Sequence, residues 1–337
     1  MKKCGKSSNI ISLVAIILLM IALVIGLVAF KRNKDELTAD TIKQVNDKNN
    51  YTFLVVGRDR AAGLCDVIIL ANINTDNGDV SIMQIPRDTY FDCGNENHKK
   101  INSSYNSLGS MSSVSNALSS ALGIKIDYYL SLDLDTVAKI VDAVGKIEID
   151  VPMDMDYTDP EQNLSINLKA GKQKMDGKSA VNFLRYRSGY ITGDLGRVDA
   201  QKLFLSAFIK RVGEIGNPFE LYNVFKLISS NSENNIKEKN LLSIGFKFLK
   251  IKGGTVSYMT APGEAIQSEK SGAWYYILSS KSMSELLKTR FDTVDTFDKN
   301  NKFVDKNVQS FFDIYNKDCG IRIYTTDDIE NNKININ

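Results

Sequence analysis

The sequence begins with an apolar segment that constrains where the rest of the chain can be. Residues 10–30 are 21 consecutive positions without a charged side chain. At about 1.5 Å per residue, a helix of this length crosses a hydrocarbon core of about 30 Å. The segment runs directly into Lys31 and Arg32 without a small-x-small cleavage site, which favours an uncleaved transmembrane anchor over a signal peptide. We expect a single-pass protein of the cell membrane, with its N-terminus inside and the remaining chain outside.

The anchor divides the sequence into segments of different composition. The polar residues after it resemble a stalk, and apolar β-branched runs start at Tyr51. From about Asp292 the chain becomes polar again, and we expect a small accessory piece or a loose segment there. The predicted organisation is a cytoplasmic tail at 1–9, the anchor at 10–30, a stalk at 31–50, a folded domain at 51–290 and a polar C-terminal extension at 291–337.

Charge and rare residues exclude several classes of function. The chain has 42 Lys and Arg against 40 Asp and Glu, a net charge of +2, which gives no support to a nucleic-acid partner. Its single histidine, His98, rules out a metal site built on a histidine pair. We therefore expect any metal to be held by carboxylates. Beyond the anchor, Cys65, Cys93 and Cys319 are an odd number, so a Cys65–Cys93 bridge and three free thiols both remain open.

Strand and helix patterns alternate along the folded domain. Strands are predicted at 53–56, 67–73, 80–85, 128–132, 147–151 and 254–259, and helices at 110–122, 135–144, 176–184, 199–212, 220–229 and 238–249. This alternation predicts an α/β fold, a layered mixed sheet with helices on both faces.

Two aspartates follow or begin buried strands. Asp59 ends the first apolar run, and Asp66 starts the next one. Ligands of α/β sheets bind at strand ends, and two carboxylates without histidine suit a hard ion such as Mg²⁺. The alternative is a pair of turn aspartates that accept hydrogen bonds from nearby backbone.

Arginines recur at the ends of elements. A guanidinium grips phosphate oxygens with two donors, so such a set is typical of a phosphate site, although each arginine alone could be a surface ion pair. Arg185 and Arg187 share a side only if the chain is extended there, and Arg197 and Gln201 project together if their segment is helical. The candidates are Arg87, Asp88, Lys100, Arg185, Arg187, Asp194, Arg197 and Gln201.

Two other features are set aside. The run from Gly171 to Ser179 has five residues between its glycines, where a P-loop needs four. His98 lies in a polar loop with an exposed character, which makes it a poor candidate for a base.

Taken in order, eight segments resemble the LytR-CpsA-Psr family of cell-wall ligases. Any one of them is a weak signal, whereas eight in the right order are specific. They are FLVVGRD from Phe53, CDVIILANIN from Cys65, SIMQIPRDTY from Ser81, KINSSY from Lys100, GIKIDYYLSLD from Gly123, VDAVGKIEIDVP from Val141, MDGKSAVNFLRYRSG from Met175 and GDLGRVDAQ from Gly193.

This resemblance implies a phosphotransferase whose catalytic domain is 51–290. Such enzymes move an anionic glycopolymer, of teichoic acid or capsule type, from a polyprenyl-pyrophosphate carrier in the membrane to a peptidoglycan hydroxyl, forming a phosphodiester. It also implies a tunnel for the lipid, which the face from Leu203 to Phe208 could line.

The resemblance further assigns roles to individual residues. Asp59 and Asp66 match the aspartates for Mg²⁺ (or Mn²⁺), and Asp194 matches the aspartate that precedes the last arginine of the family pattern and is expected to be catalytic. Arg87 is expected to act on the transferring phosphoryl group, and Asp88 and a metal-bound hydroxide are both candidate bases. The expected pyrophosphate-binding residues are Arg87, Lys100, Arg185, Arg187, Arg197 and Gln201.

One position departs from the family pattern. The family usually has Arg-Ser-Asp where this chain has Leu64-Cys65-Asp66. One phosphate-binding arginine is thus missing, and Arg58 or Arg60 could replace it. Two alternatives to the ligase therefore stay open, a pyrophosphatase acting on the same carrier and a non-catalytic regulator of envelope assembly.

Overall fold

The computed structural model describes residues 49–59, 63–96, 98–160, 164–190, 194–215, 218–237, 240, 254–269, 271–293 and 296–330. The predicted anchor at 10–30 and most of the predicted helix at 238–249 lie outside these ranges. Within them, no helix combines the length and the apolar character needed to cross a membrane.

The centre of the fold is a mixed sheet. Its strands are β1 (Asn50–Asp59), β2 (Leu64–Asn74), β3 (Val80–Ile85), β4 (Tyr128–Leu132), β9 (Glu233–Asn234), β10 (Val256–Thr260) and β13 (Ile323–Thr325). Their spatial order is β13-β10-β3-β2-β1-β4-β9. The pairs β1–β4 and β3–β10 are parallel and the other neighbours are antiparallel. The mixed sheet predicted from the sequence is confirmed.

Two helical layers cover the sheet because its strands alternate apolar side chains between the faces. One face packs on α3 (Leu134–Val144), α4 (Gly177–Arg185), α5 (Asp194–Gly213) and α6 (Pro218–Asn231). The other face packs on α2 (Met111–Leu122), which follows the short α1 (Ser104–Leu108), and on α7 (Ser280–Arg290) and α8 (Gln309–Asn316). The prediction of helices on both faces is confirmed.

Three hairpin-like pairs flank the main sheet. They are β5 (Ile147–Val151) with β8 (Gly171–Met175), β6 (Met155–Asp159) with β7 (Leu164–Leu168), and β11 (Gly263–Gln267) with β12 (Trp274–Leu278). Of these strands only β5 was predicted. Strands β6 and β11 give a weak apolar signal, whereas β7 (LSINL) alternates apolar and polar residues and β12 (WYYIL) is apolar throughout, so their signal was present and was missed.

The described part of the C-terminal segment packs on the same body as the rest. Phe303 is buried between Phe91 and Phe297, with ring centroids 5.0 and 5.4 Å away. Strand β13 pairs with β10 at the sheet edge, and α9 (Thr326–Glu330) follows it. The described residues 296–330 therefore pack on the fold, since most of their apolar side chains are buried or half-buried, although Ile323 is exposed.

Gly177 sets the distance between α3 and α4. A Cβ atom at this position would lie 2.2 Å from the backbone oxygen of Ala138 in α3. We expect Gly177→Ala to lower the free energy of unfolding by about 2–3 kcal/mol, because backbone must shift to relieve the overlap. Urea unfolding followed by circular dichroism measures the change.

Gly213, at the end of α5, is the matched control. No described atom lies within 4 Å of a Cβ built there, so Gly213→Ala should be neutral or stabilise by up to about 1 kcal/mol through helix propensity. Equal unfolding midpoints for the two variants would contradict the packing argument.

Candidate functional site

A β-bulge at the end of the central hairpin places Asp66. Gly57 of β1 pairs with Val67 of β2, whereas the next residue, Arg58, pairs with Cys65. Asp66 is therefore the extra residue of β2, without a counterpart on β1. Bulges redirect side chains at functional sites. Here the bulge puts a carboxylate near the start of β2, an interior strand whose residues are mostly buried.

Three arginines surround the buried carboxylate of Asp66. Arg87 Nη1 donates to Asp66 Oδ1 at 3.0 Å, while Arg197 and Arg187 act on the same carboxylate electrostatically. Asp66 is 1% exposed. Burial raises the pKa of Asp66 above its ordinary value, and the arginines oppose this shift. The arrangement concentrates positive charge around one desolvated carboxylate.

Arg185 and Arg187 lie where α4 ends. After Arg185 the helix ends, and Tyr186 is extended, with φ −66° and ψ 139°. Arg185 is thus the last helical residue, and the extended residue between the two arginines, Tyr186, is buried. Burial lowers the pKa of Arg185, against the attraction of Asp159 and Asp59. Arg185 therefore interacts with the second predicted aspartate, Asp59, and lies two residues before Arg187 in the chain.

The first turns of α5 contribute the next pair of side chains. Arg197 and Gln201 are four residues apart on this helix and are 3% and 0% exposed. The predicted helical spacing is confirmed. Gln84 of β3 donates its amide to Gln201 Oε1. Among the described residues, Gln201 Nε2 is buried and has no hydrogen-bond acceptor, so this donor suits a ligand with an exposed oxygen.

The loop after β3 holds Asp88 and orients Lys100 toward it. Lys100 Nζ donates to Asp88 Oδ1 at 2.7 Å, and Arg87 Nε lies 3.7 Å from Asp88 Oδ2. Backbone pairing between Tyr90 and Lys100 fixes the two segments against each other. Through Arg87, this pair joins the cations around Asp66.

Six of the predicted residues are linked through Asp66 and Asp88 by contacts or electrostatic interactions. Arg185, two residues before Arg187 in the chain, interacts with Asp59, and we call all eight residues the charged cluster. With five basic and three acidic members, the cluster carries net positive charge. Its members are Asp59, Asp66, Arg87, Asp88, Lys100, Arg185, Arg187 and Arg197.

Three further predicted site residues are not part of the charged cluster. Arg58 lies on the sheet face of Leu54 and Val56, with its guanidinium 3.9 Å from the Tyr105 ring centroid and 3.5 Å from Glu233. These contacts do not bring it to Asp66, because neighbouring strand residues point to opposite faces. Arg60 and the side chain of Asp194 lie outside the described residues.

The cysteines are free thiols in the described structure. Of the two readings left open by the sequence, the Cys65–Cys93 bridge is therefore not formed. Burial raises the pKa of Cys65 to about 12, which keeps this thiol protonated and unreactive beside Asp66.

The carboxylates of Asp59 and Asp66 fit a hard divalent cation that is also coordinated by oxygens of a substrate. Within the described ranges there is no group of three or more His, Cys, Asp or Glu residues able to hold a metal. Asp59 and Asp66 offer only oxygen atoms. Mg²⁺ is commonly held by one or two carboxylates and completed by water and phosphate oxygens, so these two residues suit it when a phosphorylated substrate is present.

Two site neighbours were missed by the sequence reasoning. Gln84 is a polar residue near the end of β3 (VSIMQI), a strand that was predicted as apolar. A polar residue in an apolar strand is a signal that the sequence reasoning could have used. Asp159 acts on Arg185 from the unpredicted β6–β7 pair. No local pattern connects it to Arg185, because 26 positions of chain separate them.

Comparisons with known proteins agree with this arrangement. A sequence profile described as the LytR_cpsA_psr family matches residues 25–292. The polyisoprenyl-teichoic acid–peptidoglycan teichoic acid transferase TagV of Bacillus subtilis is 25% identical over 272 residues, 78% of this chain and 69% of TagV. The transferase TagU of the same organism is 24% identical over 248 residues, 72% of this chain and 78% of TagU.

Comparison of the folds supports the same family. The crystal structure of B. subtilis TagV superposes with a TM-score of 0.60 at 25% identity, covering 73% of this chain and 98% of that one. The profile match covers most of the sequence, including every segment that carries the charged cluster. This chain is therefore a member of the LytR-CpsA-Psr family.

Proposed function

We propose that this protein is a membrane-anchored phosphotransferase that moves an anionic glycopolymer from a polyprenyl-pyrophosphate carrier to peptidoglycan. The observation that carries the proposal is the convergence of Arg87, Arg187 and Arg197 on the buried Asp66. Guanidiniums that are buried (Arg197) or half-buried (Arg87 and Arg187) around one carboxylate are suited to oxygens of a pyrophosphate, which they bind with paired hydrogen bonds. The names of TagV and TagU, both teichoic acid transferases, support the same reaction class.

The reaction exchanges one phosphorus–oxygen bond for another. The acceptor hydroxyl oxygen forms a bond to the phosphorus that carries the glycopolymer. The bond from that phosphorus to the bridging oxygen breaks, and the polyprenyl phosphate leaves with the electron pair. Energy comes from the pyrophosphate itself, so no nucleotide is required. Such transfers depend on positioning and charge stabilisation more than on covalent chemistry from the protein.

The charged cluster supplies those two contributions. Arg87, Arg187 and Arg197 neutralise charge on the transferring phosphoryl group and on the leaving phosphate. Gln201 Nε2, buried and without an acceptor among the described residues, donates to a phosphate oxygen. When bound by Asp59 and Asp66, Mg²⁺ or Mn²⁺ supplies further neutralisation of the pyrophosphate.

Asp88 is suited to accept the proton of the acceptor hydroxyl. Its Oδ1 accepts from Lys100 at 2.7 Å, whereas its Oδ2 lies 3.7 Å from Arg87 Nε, beyond hydrogen-bond distance. The ion pair with Lys100 orients the carboxylate, and Oδ2 is the oxygen that takes the proton.

The test uses the full-length protein in detergent, a labelled saccharide on polyprenyl pyrophosphate, and a peptidoglycan oligomer, with Mg²⁺ and then with EDTA. We expect label to move to the glycan only with the metal. Metal-dependent release of free phosphorylated saccharide would replace the ligase with a pyrophosphatase. Binding of the labelled lipid without either product would identify a carrier-binding regulator of envelope assembly.

Leu64 offers a separate test of the pyrophosphate site. It pairs across the hairpin with Asp59, at the position where the family usually has arginine. We expect Leu64→Arg to bind polyprenyl pyrophosphate up to about tenfold more tightly, because one more charge-assisted contact becomes available. Labelled lipid titrated against both proteins in detergent measures this change.

Leu64→Met is the control, since it keeps the volume and adds no charge. It should bind like the unmodified protein. If Leu64→Arg also bound like Leu64→Met, the pyrophosphate would not lie beside β1 and β2, and the placement proposed here would be wrong.

A further inference from the structure

Tyr190 has a buried hydroxyl group without a hydrogen-bond partner. The residue is 7% exposed, and within the described part of the chain its Oη atom makes no hydrogen bond. Buried hydroxyls of folded proteins are nearly always hydrogen-bonded, because a buried polar group without a partner costs free energy. An unpartnered donor of this kind indicates a partner that the folded chain itself does not supply.

The turn after α4 brings Tyr190 back onto Tyr186. Tyr186 is the buried residue between Arg185 and Arg187, and its ring centroid lies 5.7 Å from that of Tyr190 in an edge-to-face contact. Gly189 permits this turn, since a Cβ atom there would lie 2.7 Å from the Tyr186 hydroxyl. Both rings belong to the apolar core that α4 and α5 form with the sheet. Packing therefore holds Tyr190 next to the segment that carries two cations of the charged cluster.

Arg197 connects Tyr190 to the charged cluster. Its guanidinium interacts electrostatically with the Tyr190 hydroxyl and with the carboxylate of Asp66. Burial raises the pKa of Tyr190, and Arg197 opposes only part of this shift. The hydroxyl therefore keeps its proton at neutral pH and is available as a hydrogen-bond donor.

A second unpartnered donor lies one helical turn after Arg197. Gln201 Nε2 is buried and has no acceptor among the described residues. Guanidinium and amide N–H groups only donate, so a ligand that satisfies Gln201 and Tyr190 together has to accept hydrogen bonds. The positive charge of Arg197 favours an anionic acceptor. Phosphate oxygens meet both requirements.

We propose that the Tyr190 hydroxyl donates a hydrogen bond to a phosphate oxygen of the polyprenyl-pyrophosphate carrier, which makes Tyr190 a further substrate-binding residue. This inference rests on the proposed function, which supplies the pyrophosphate. Tyr190 lies between the family-like segments that end at Gly189 and begin at Gly193, so motif matching did not select it. The competing partner is a sugar hydroxyl of the glycopolymer, which is neutral and is attracted less by Arg197.

Lipid binding by a tyrosine variant tests the contact. Full-length protein in detergent with Mg²⁺ is titrated with labelled polyprenyl pyrophosphate, which carries no sugar, and with polyprenyl alcohol, which carries no phosphate. Tyr190→Phe removes only the hydroxyl. We expect this variant to bind the pyrophosphate about tenfold more weakly and the alcohol as tightly as the unmodified protein.

Three results would overturn the contact with phosphate. They are equal affinities of the two proteins for the pyrophosphate, an equal loss of affinity for the alcohol, and a loss that appears only when the lipid carries its saccharide. The last result would assign the hydroxyl to the sugar instead.

Stability without ligand gives an independent readout. Tyr190→Phe removes a hydroxyl that makes no hydrogen bond, so its urea midpoint without lipid should equal or exceed that of the unmodified protein. Tyr276→Phe is the matched control, because the Tyr276 hydroxyl lies 3.0 Å from the carbonyl oxygens of Ala261 and Gly263, in the core on the other face of the sheet. This control should unfold at a lower midpoint and bind the pyrophosphate normally. A midpoint equally low for Tyr190→Phe would reveal a structural partner and overturn the proposal.

Because binding is measured without transfer, its outcome is separate from that of the proposed function. If transfer occurs, Tyr190→Phe should raise the KM for the lipid about tenfold and leave the KM for the peptidoglycan acceptor unchanged. If Tyr190→Phe weakens pyrophosphate binding but nothing is transferred, the proposed function fails while the contact stands. Transfer with equal affinities would remove the contact and leave the function, and an unmodified protein that binds no pyrophosphate would overturn both.

Discussion

Arg87→Ala is expected to reduce glycopolymer transfer by about 10³-fold or more, equivalent to about 4 kcal/mol of transition-state stabilisation. Arg87 lies near two carboxylates of the charged cluster, at 3.0 Å from Asp66 and 3.7 Å from Asp88. A guanidinium placed this way both holds the site together and faces the developing charge on phosphate. The transfer assay described above, at saturating lipid and acceptor, measures the loss.

A lower stability is expected alongside the lost activity. Asp66 is buried, and removing a buried partner leaves a charge with less compensation, at a cost of up to about 3 kcal/mol. Arg187 and Arg197 limit that cost, since they act on the same carboxylate. Urea unfolding of Arg87→Ala should therefore show a lower midpoint with a single transition.

A double variant separates the two effects. In Arg87→Ala with Asp66→Asn the buried charge is gone, so stability should recover while transfer stays lost. Arg87→Lys keeps the charge but not the paired donors, and should retain an intermediate rate. Recovery of transfer together with stability in the double variant would mean that Arg87 acts only as a structural residue.

Asp59→Asn is expected to reduce transfer by about 10²-fold and to raise the Mg²⁺ concentration needed for half-maximal activity by about tenfold. Asp59 ends β1 opposite Leu64 and interacts electrostatically with Arg185. The amide keeps the shape of the side chain and removes its charge, so the loss reports on charge rather than packing. Initial rates measured across a Mg²⁺ titration give both quantities.

Asp159→Asn is the matched control, because Asp159 is the other carboxylate that acts on Arg185. It lies on β6, away from the β1–β2 bulge. The Mg²⁺ requirement of this variant should stay close to that of the unmodified protein. A shift as large as that of Asp59→Asn would show that both variants act through Arg185, and would remove the argument for a metal at Asp59.

Local sequence patterns predicted most of the regular elements correctly. Apolar alternation located the strands around Phe53, Val67 and Val80, and helices ended where glycine could adopt a positive φ, at Gly123 (67°) and Gly145 (75°). The family motifs named the members of the charged cluster. Each of these signals depends on neighbours within a few residues along the chain, which is why a single sequence contains it.

Long-range contacts were the part that sequence reasoning missed. Strands β6 and β11 have weak apolar patterns, and the residues after 291 have too few apolar side chains to suggest a core. Their burial is decided by partners far along the chain, as when Phe303 packs on Phe91. Single-residue placement failed for the same reason at Arg58, whose partners Tyr105 and Glu233 come from other elements.

Local sequence patterns and tertiary contacts determined different features of this protein. Periodicity, turn residues and motif order established the fold class, the family and the residue types of the site, because these depend on backbone preferences and on short spacings. Tertiary structure alone established that a one-residue bulge isolates Asp66 and that three arginines from separate segments act on it. Those features arise from charges brought together by the burial of both sheet faces, a global balance that no local segment encodes.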